Sequence, residues 1–282
     1  ATENKVSRCA REDVSNVKIM LLAYIIKIIL TTYLYIKYTT VPHRLTLISK
    51  QLSTMKMKHI LSRLLLLAAF LPLAAWGEKQ PTVLLHTSVG DITVTLFNST
   101  PAHRDNFLKL VREGYYDGVI FHRVIKNFMI QTGDPDSRNP IPYKVYGDGG
   151  PDYTLPLELD LPRHYHYRGA LAAARESDDV NPERRSSGSQ FYIVWGKRYS
   201  EADLSDISER IYEATEGRCE MTKEMAETYG KKGGTPWLDG QYTVFGEVTI
   251  GLDVVKAIQS VSTDTSDRPL KDIFLLKATV VE

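Results

Sequence analysis

The sequence predicts a mainly β protein, built as an antiparallel barrel whose ends are capped by helices. About seven to nine short segments alternate apolar and polar residues with the period of two that is typical of half-buried strands. Only two main helical segments accompany them, and no strand–helix–strand rhythm indicates a parallel sheet. No internal repeat divides the strands, so we place them in one domain, residues 78–282.

Residues 55–77 have the features of a secretory signal peptide. Basic residues precede an apolar stretch from Leu64 to Ala75, and the small residues Ala75 and Gly77 suit positions −3 and −1 of a cleavage site. Cleavage after Gly77 would start the mature chain at Glu78 and predicts an exported protein, periplasmic or associated with the envelope. An uncleaved membrane anchor is the alternative interpretation.

Residues 1–54 contain a second apolar run, from Ile19 to Ile36, which is interrupted by Lys27. This run is close to the minimum length for a membrane-spanning helix. We interpret residues 1–54 as a non-native upstream extension, produced by a start site assigned too early or by translated upstream sequence. The alternative is an N-terminal membrane segment, which would tether the protein if residues 19–36 are retained.

The domain opens with a predicted hairpin and a helix. Residues 83–87 and 92–97 have strand patterns, and Ser88–Asp91 supplies a polar turn between them. Residues 106–114 place apolar side chains on one helical face, and Gly114 is a natural C-terminal stop. These elements begin an antiparallel sheet with a helix beside it.

The next stretch, Phe121–Asp134, predicts two short strands around a polar turn. Arg123 and Gln131 lie among its apolar residues, and burying either group without a partner would cost on the order of a few kcal/mol. Two interpretations follow. Either both groups are paired inside the protein, with Asp134 or Glu158 as the partner of Arg123, or both face a groove in which a ligand pairs them.

The remaining segments complete the predicted barrel. Residues 137–152 are rich in Gly, Pro, Asp and Asn and indicate a loop. Residues 169–175 are small enough to form the floor of a groove if they are a strand. Further predicted elements are strands at residues 187–195, 243–248 and 273–281, a helix at residues 251–261 and a loop that carries Trp237.

Residues 201–232 differ from the rest of the domain because they are charged, poor in β-branched residues and periodic at helical spacing. Ser200 and Asp203 fit a capping box, so we predict one or two amphipathic helices, inserted into the domain as a hairpin. Two roles stay open for this insertion. It is either a surface decoration packed on the barrel or a lobe that binds a partner or selects substrates.

His164 and His166 alternate and would face one side of a strand, where two histidines can ligate a metal if a third ligand is present. No carboxylate or third histidine stands at a helpful spacing, so we predict no metal and no cofactor. Ser189 lacks the flanking pattern of a nucleophile elbow, so a serine hydrolase is not predicted. A formal net charge of +1 gives no electrostatic reason to predict nucleic-acid binding.

Four ordered motifs give the chain a specific resemblance to a known family. They are Phe121–Asp134, Gly169–Ala174, Gly188–Ile193 and Trp237–Gly246. In these motifs, and over residues 83–280 as a whole, the sequence resembles the cyclophilins, which are peptidyl-prolyl cis-trans isomerases. The resemblance implies a closed eight-stranded antiparallel barrel with a helix at each end, and a shallow proline-binding groove on the outside of the barrel.

The resemblance also implies roles for individual residues. Arg123 matches the catalytic arginine of the family, and Gln131 matches a glutamine that contacts the substrate backbone. Ala174 and Arg175 match a groove-floor pair that reads Ala-Asn in many members, so Arg175 could shift the preference toward acidic or bulkier neighbours of proline. The other substrate-binding residues match the walls and rim of the proline pocket: Phe128, Met129, Tyr192, Trp237, Leu238 and Tyr242.

The sequence departs from the common family pattern at a few of these places. Tyr192 replaces a frequent phenylalanine, Tyr242 stands where many members have a histidine, and Thr132 stands where many have glycine. Trp237 matches the tryptophan that is linked with cyclosporin contact in many members.

The resemblance implies an isomerase that accelerates X-Pro rotation while exported proteins fold. No covalent step is needed, because a hydrogen bond from Arg123 to the prolyl nitrogen would stabilise the twisted amide without a metal or cofactor. The expected partners are proline-containing polypeptides, and we expect a monomer. The alternative is a proline-peptide binding module or chaperone with little catalytic turnover, in which the insertion carries recognition.

Overall fold

The structure, a computed structural model, describes Lys27 and residues 79–281. The predicted signal peptide at residues 55–77 and, apart from Lys27, the upstream segment at residues 1–54 lie outside the described residues. Both interpretations therefore stay predictions. Within the described residues, no helix combines the length and the apolar character that crossing a bilayer requires.

The described residues form one large sheet and one small one. The strands are β1 (Thr82–Thr87), β2 (Asp91–Leu96), β3 (Val119–Ile120), β4 (Arg123–Ile125), β5 (Met129–Thr132), β6 (Thr154–Leu155), β7 (Ala170–Ala173), β8 (Ser186–Ser187), β9 (Phe191–Val194), β10 (Val244–Ile250) and β11 (Phe274–Val281). Nine of them make a curled antiparallel sheet in the order β3–β11–β1–β2–β10–β7–β9–β5–β4, while β6 pairs with β8. The predicted opening hairpin is confirmed by the antiparallel pairing of β1 with β2.

Four α-helices lie in the described residues: α1 (Pro101–Arg112), α2 (Glu201–Ala214), α3 (Lys223–Lys231) and α4 (Leu252–Gln259). The helices predicted at residues 106–114 and 251–261 are confirmed as α1 and α4. The helix α1 begins earlier than predicted, because Pro101 occupies the first helical position, where a missing N–H is tolerated.

The predicted insertion contains two helices, α2 and α3. The capping box is present, since Asp203 N–H donates to Ser200 Oγ at 3.3 Å and Ser200 N–H donates to the Asp203 carboxylate at 3.1 Å. Thr222 caps α3 by accepting the backbone N–H of Met225 at 3.2 Å. Each helix therefore has a defined start, which the polar residues at its N-terminus supply.

The prediction of a closed eight-stranded barrel is wrong in closure and in strand count. The strands β3 and β4 stand at opposite ends of the nine-stranded order and are not paired with each other. Only Phe121 and His122 separate them along the chain, and the backbone changes its partner there. Phe121 N–H donates to Ile273 O at 2.9 Å, whereas Val124 N–H donates to Asp267 O at 2.8 Å. One extended segment is thus divided into two short strands.

Successive side chains point to opposite faces of the sheet, and in β7 and β9 both faces are buried. In β9, Phe191 and Ile193 belong to the main core with Phe107 of α1 and Ile258 of α4. The alternate residue Tyr192 faces a second, smaller apolar cluster on the opposite side of the sheet. Every residue of β7 and β9 is consequently buried. The second cluster is where the candidate site lies.

Candidate active site

A cavity of about 230 Å³ opens on the outer face of the sheet, over the second apolar cluster. All of the predicted site residues except Trp237 line it: Arg123, Phe128, Met129, Gln131, Ala174, Arg175, Tyr192, Leu238 and Tyr242. Trp237 packs behind Phe128, with ring centroids 5.8 Å apart. The structure therefore brings together residues that are more than a hundred positions apart in the sequence.

Arg123 and Gln131 face each other across the β4–β5 pair. Directly opposed residues in an antiparallel pair project from the same face of the sheet, so both side chains lie at the cavity. The Arg123 side chain is 45% exposed, and its Nε lies 3.4 Å from Asp267 Oδ2. The Gln131 amide donates to Gln190 Oε1 at 3.0 Å. Both groups therefore have a partner within the chain and also face the cavity, so the arrangement combines the two interpretations.

Neither acid considered as an internal partner of Arg123 pairs with it. Asp134 instead accepts the backbone N–H groups of Asp136 at 2.8 Å and Gly147 at 2.6 Å. Glu158 accepts from the backbone of His103 at 3.0 Å and from His103 Nδ1 at 2.6 Å. Burial raises the pKa of the Glu158 carboxyl, but these bonds outweigh that effect and leave the pKa below its usual value. Asp134 thus organises a loop, and Glu158 caps the N-terminus of α1.

The apolar part of the cavity is built from β5, β9 and the turns beside them. Phe128 ends the turn before β5 and is fixed there because its carbonyl accepts the N–H groups of Trp195 at 2.9 Å and of Gly196 at 3.0 Å. Tyr192 stands opposite Gln131 in the β5–β9 register, and Leu238 lies in a short 3-10 turn. Burial raises the pKa of Tyr192 well above its usual value, so the phenol stays neutral.

Arg175 does not offer its charge to the cavity. Its side chain is only 2% exposed, and Nη1 lies 2.6 Å from Asp178 Oδ1. Nε donates to Gln241 O at 3.0 Å, and the guanidinium stacks 4.3 Å from the centre of the Tyr242 ring. The expectation that Arg175 favours acidic neighbours of proline gains no support, since the cation is already compensated. Its contacts instead hold Tyr242 at the rim.

Several residues at the cavity were not predicted as part of it. Tyr146, Gly147 and Asp148 line one side, although the stretch from 137 to 152 was interpreted only as a loop. Gln190 fixes this loop, since its amide donates to Gly147 O at 2.6 Å while its oxygen accepts from Gln131. The three glycines at positions 147, 149 and 150 were the available signal, because glycine permits a close approach of backbone to other groups.

His122 lies under the same cavity and is 3% exposed. Burial lowers the pKa of its imidazole to about 4, and nearby Arg123 lowers it further while Asp134 opposes the shift. The ring is therefore neutral at physiological pH. A neutral buried imidazole supplies shape to the cavity floor and no charge to compete with the guanidinium.

His164 and His166 contact different groups. His166 bonds to Asp239 and Tyr192, whereas His164 stacks on Phe97 with ring centroids 3.5 Å apart. Across the residues that the structure describes, no group of three or more His, Cys, Asp or Glu side chains could hold an ion. Ser189 is 3% exposed and donates to a backbone carbonyl at 2.8 Å, so its hydroxyl serves the fold.

Comparison with known proteins assigns the chain to one family. The family model described as cyclophilin type peptidyl-prolyl cis-trans isomerase/CLD matches residues 82–280. The chain is 35% identical over 206 residues to a protein of Staphylococcus aureus (strain USA300) named as a candidate peptidyl-prolyl cis-trans isomerase, covering 73% of this chain and 94% of that protein. A protein of the same name from Staphylococcus epidermidis gives the same identity and coverage.

Solved structures agree with this assignment. A cyclophilin type peptidyl-prolyl cis-trans isomerase of Cryptosporidium parvum is 25% identical with a TM-score of 0.51, covering 72% of this chain and 98% of that one. The crystal structure of the same protein in the presence of the dipeptide Ala-Pro is 26% identical with a TM-score of 0.50, covering 71% and 99% of the two chains.

Proposed function

This chain belongs to the family of cyclophilin-type peptidyl-prolyl cis-trans isomerases, and we propose that its outer groove binds X-Pro segments of polypeptides and that Arg123 drives their rotation. The observation that carries the proposal is the position of Arg123 opposite Gln131 at the edge of an apolar cavity. A cation and an amide beside an apolar pocket suit a ligand that is apolar at its ring and polar along its backbone.

The chemistry requires only that the amide lose its double-bond character. Resonance sets a barrier of about 18–20 kcal/mol, and uncatalysed X-Pro exchange takes roughly tens to hundreds of seconds. In the twisted state the prolyl nitrogen becomes pyramidal and gains a lone pair. A donor aimed at that lone pair stabilises the twisted state more than the planar one, and this difference is what accelerates a reaction.

Arg123 is suited to be that donor. Its guanidinium is permanently protonated and presents several donors in a fixed plane. The Asp267 carboxylate lies 3.4 Å from Nε, which orients the plane and leaves the Nη groups for a ligand. With 45% of the side chain exposed, those donors are open to an incoming peptide.

The remaining groove residues would hold the substrate. The proline ring would lie against apolar surface supplied by Phe128, Met129, Tyr192 and Leu238. This contact would hold the ring still while the other half of the peptide rotates. Because the Gln131 amide nitrogen is engaged with Gln190, its oxygen is left to accept a backbone N–H of the substrate. The presence of Ala-Pro in the crystal structure of the Cryptosporidium parvum relative supports a proline-containing ligand for this groove.

The activity is tested by measuring cis–trans exchange of an Ala-Pro peptide with the purified chain. Acceleration is expected, and Arg123→Ala should lower kcat/KM by about 10²–10³-fold, as for the loss of one preorganised donor to a transition state. The matched control is Arg218→Ala, because Arg218 is 59% exposed and forms one ion pair at 3.5 Å but lies in the insertion. Full activity in Arg123→Ala, with its circular dichroism spectrum intact, would refute the proposed role.

We also propose that the clients are exported proteins. The support is the signal-peptide pattern at residues 55–77, with cleavage near Gly77, while retention of residues 19–36 would make the enzyme membrane-tethered. Mass spectrometry of the protein isolated from its own cells tests this, because a mature N-terminus near Glu78 is expected. A chain that keeps residues 55–77 would contradict cleavage.

A further inference from the structure

We infer that Tyr229, on the inserted helix α3, is a positioning residue for the proline pocket. A buried series of hydrogen bonds runs from its hydroxyl through Asp239 and His166 to the hydroxyl of Tyr192, which forms a wall of the pocket. The inference rests on the proposed function of the groove. It gives the insertion a part in substrate binding.

The bonds in this series are short and continuous. Tyr229 donates its hydroxyl proton to Asp239 Oδ2 at 2.5 Å. Asp239 Oδ1 accepts from His166 Nδ1 at 2.7 Å and from the His166 backbone N–H at 2.9 Å. His166 Nε2 lies 3.0 Å from the Tyr192 hydroxyl. Three donors thus converge on one carboxyl group, and the imidazole connects that group to the pocket.

The direction of each bond follows from the chemistry of the groups. An ionised carboxylate only accepts, so Nδ1 of His166 donates to Asp239, and in a neutral imidazole Nε2 is then the acceptor. Tyr192 then donates to Nε2. Burial raises the pKa of both Tyr192 and Tyr229 well above the usual value, so both phenols keep the protons they donate.

The whole series is shielded from water. His166 and Tyr229 are 0% exposed, Asp239 is 1% exposed and Tyr192 is 4% exposed. Buried polar groups are costly unless each is paired, and in a low-dielectric surrounding a fully paired network is rigid. Removing one donor therefore leaves the next group without its partner and without a water molecule to replace it.

The series fixes two walls of the pocket at once. Tyr192 is held at its hydroxyl end, so the ring cannot turn away from the cavity without breaking a bond to His166. Asp239 directly follows Leu238 in the sequence, so the carboxyl group that receives Tyr229 also anchors the backbone of the Leu238 wall. A helix outside the sheet thereby sets the width of the pocket.

A second contact route joins the same helix to the opposite wall. The ring of Tyr229 meets Tyr199 with centroids 6.4 Å apart, Tyr199 meets Trp237 at 6.2 Å, and Trp237 meets Phe128 at 5.8 Å. These edge-to-face and tilted contacts are within the range in which aromatic pairs stabilise each other. Tyr229 therefore lies behind the pocket on both sides, and Trp237 acts from behind Phe128.

The polar end of Tyr229 is the feature that a surface decoration would not need. A helix that only packed on the sheet could bury a phenylalanine there and avoid the cost of desolvating a hydroxyl. Here the hydroxyl donates a hydrogen bond to the Asp239 carboxyl group, which orients the pocket. The structure thus favours, of the two roles left open by the sequence, an insertion that contributes to substrate binding.

The test is Tyr229→Phe in the full chain, with kcat and KM measured on an Ala-Pro peptide. A pocket wall contacts the ring in both the planar and the twisted amide, so its loosening weakens binding uniformly. We expect KM to rise by about tenfold while kcat changes by less than about twofold, since small misplacements of a site can cost up to about 10²-fold. Tyr212→Phe is the matched control, because Tyr212 lies on α2 of the same insertion but is 45% exposed.

A double-mutant cycle separates positioning from general destabilisation. If Tyr229 acts partly through Tyr192, the double variant Tyr229→Phe with Tyr192→Phe should raise KM by clearly less than the product of the two single effects, because the two changes break one series. Effects that simply multiply overturn the inference, as does a Tyr229→Phe enzyme with unchanged KM. Absence of isomerase activity in the unmodified chain would instead overturn the proposed function of the groove.

A measurement on the unmodified chain covers the case in which Tyr229→Phe fails to fold. A long-range ¹H–¹⁵N NMR spectrum should show His166 protonated on Nδ1, and saturation with the Ala-Pro peptide should shift its ring signals and not the signals of Tyr212. An Nε2-protonated His166, or ring signals unmoved by the peptide, overturns the inference.

Discussion

Replacing Arg175 by methionine tests whether its charge serves the fold or the substrate. Methionine keeps a long unbranched stem but removes the cation. The structure predicts that Arg175→Met lowers stability and leaves the preference between Glu-Pro and Ala-Pro peptides unchanged, because the guanidinium is 2% exposed and already paired with Asp178.

The expected loss of stability follows from the contacts of the guanidinium, of which the exposed bond to Glu176 O, at 2.8 Å, can be replaced by water. The bond from Nε to Gln241 O, at 3.0 Å, comes from a charged donor and is worth about 1.5–3 kcal/mol. The stacking on Tyr242, at 4.3 Å, adds about 0.5–1 kcal/mol. The pair with Asp178 adds little, because that carboxylate is 50% exposed and can return to water. We expect a net loss of about 2–3 kcal/mol, since these contributions are only partly additive.

The assay combines urea unfolding with kcat/KM on the two peptides. Arg184→Met is the matched control, since Arg184 also contacts Asp178, at 3.2 Å, but its side chain is 28% exposed. The control should lose less than about 1 kcal/mol, as for other partly exposed pairs.

A different outcome would show that Arg175 reads the substrate. An uncompensated cation about 4 Å from a substrate carboxylate in water would contribute about 1 kcal/mol, equivalent to roughly fivefold in kcat/KM. If Arg175→Met selectively lost about fivefold on Glu-Pro while its stability was unchanged, the charge would be available to ligands and the reasoning from burial would be wrong.

Two further predictions concern acid stability, measured by chemical unfolding at a series of pH values. The folded pKa of His122 is about 4, below the ordinary value of 6.5. The free energy of unfolding is therefore unaffected by this group above pH 6.5 and decreases as the pH falls toward 4. His122→Phe should abolish about 3 kcal/mol of that decrease, and an unchanged dependence of the unfolding free energy on pH would contradict this prediction. The pKa of Glu158 is lowered, so its contribution is present above the unfolded value of 4.5 and is lost as the pH falls below it. Glu158→Gln should cost about 1.5–3 kcal/mol at pH 7, with the deficit shrinking below pH 4.5, and a deficit that did not depend on pH would count against a charge-assisted cap.

Many of the secondary-structure elements could be predicted from the local pattern of apolar and polar residues. Period-two alternation and turn residues predicted the β1–β2 hairpin, and apolar faces at helical spacing predicted α1 and α4. The same spacing with a capping box predicted one or two helices in the insertion, which contains two. Whether the sheet closes into a barrel could not be predicted from this local pattern. Whether the chain near Phe121 and His122 keeps one partner or exchanges it depends on hydrogen bonds to residues 267–273, which local alternation does not contain.

The candidate site was predictable where polar residues interrupt an apolar run. Arg123 and Gln131 stood out for that reason, but their direct opposition depends on the strand register set by the turn between them. Asp267, which orients Arg123, and Gln190, which holds Gln131, come from distant segments. Such partners can be identified only once the fold is known, because a single side chain in a loop belongs to no hydrophobic periodicity.

Arg175 was predicted at the groove floor, and it lines the cavity. What the sequence did not show is that its charge is paired with Asp178, three residues later. Burial of the guanidinium could not be inferred from sequence, since arginine is mostly exposed in proteins.

The division of one strand at Phe121 and His122 also leaves the large sheet with two short free edges. The ends of the large sheet are β3, with two residues, and β4, with three. A long free edge would offer N–H and C=O groups to any extended chain, and an unfolded polypeptide could anneal to it as an added strand. Here the neighbouring N–H groups of Phe121 and Val124 are already bonded within the chain, at 2.9 and 2.8 Å. An extended polypeptide that reaches these edges therefore finds little ladder to extend.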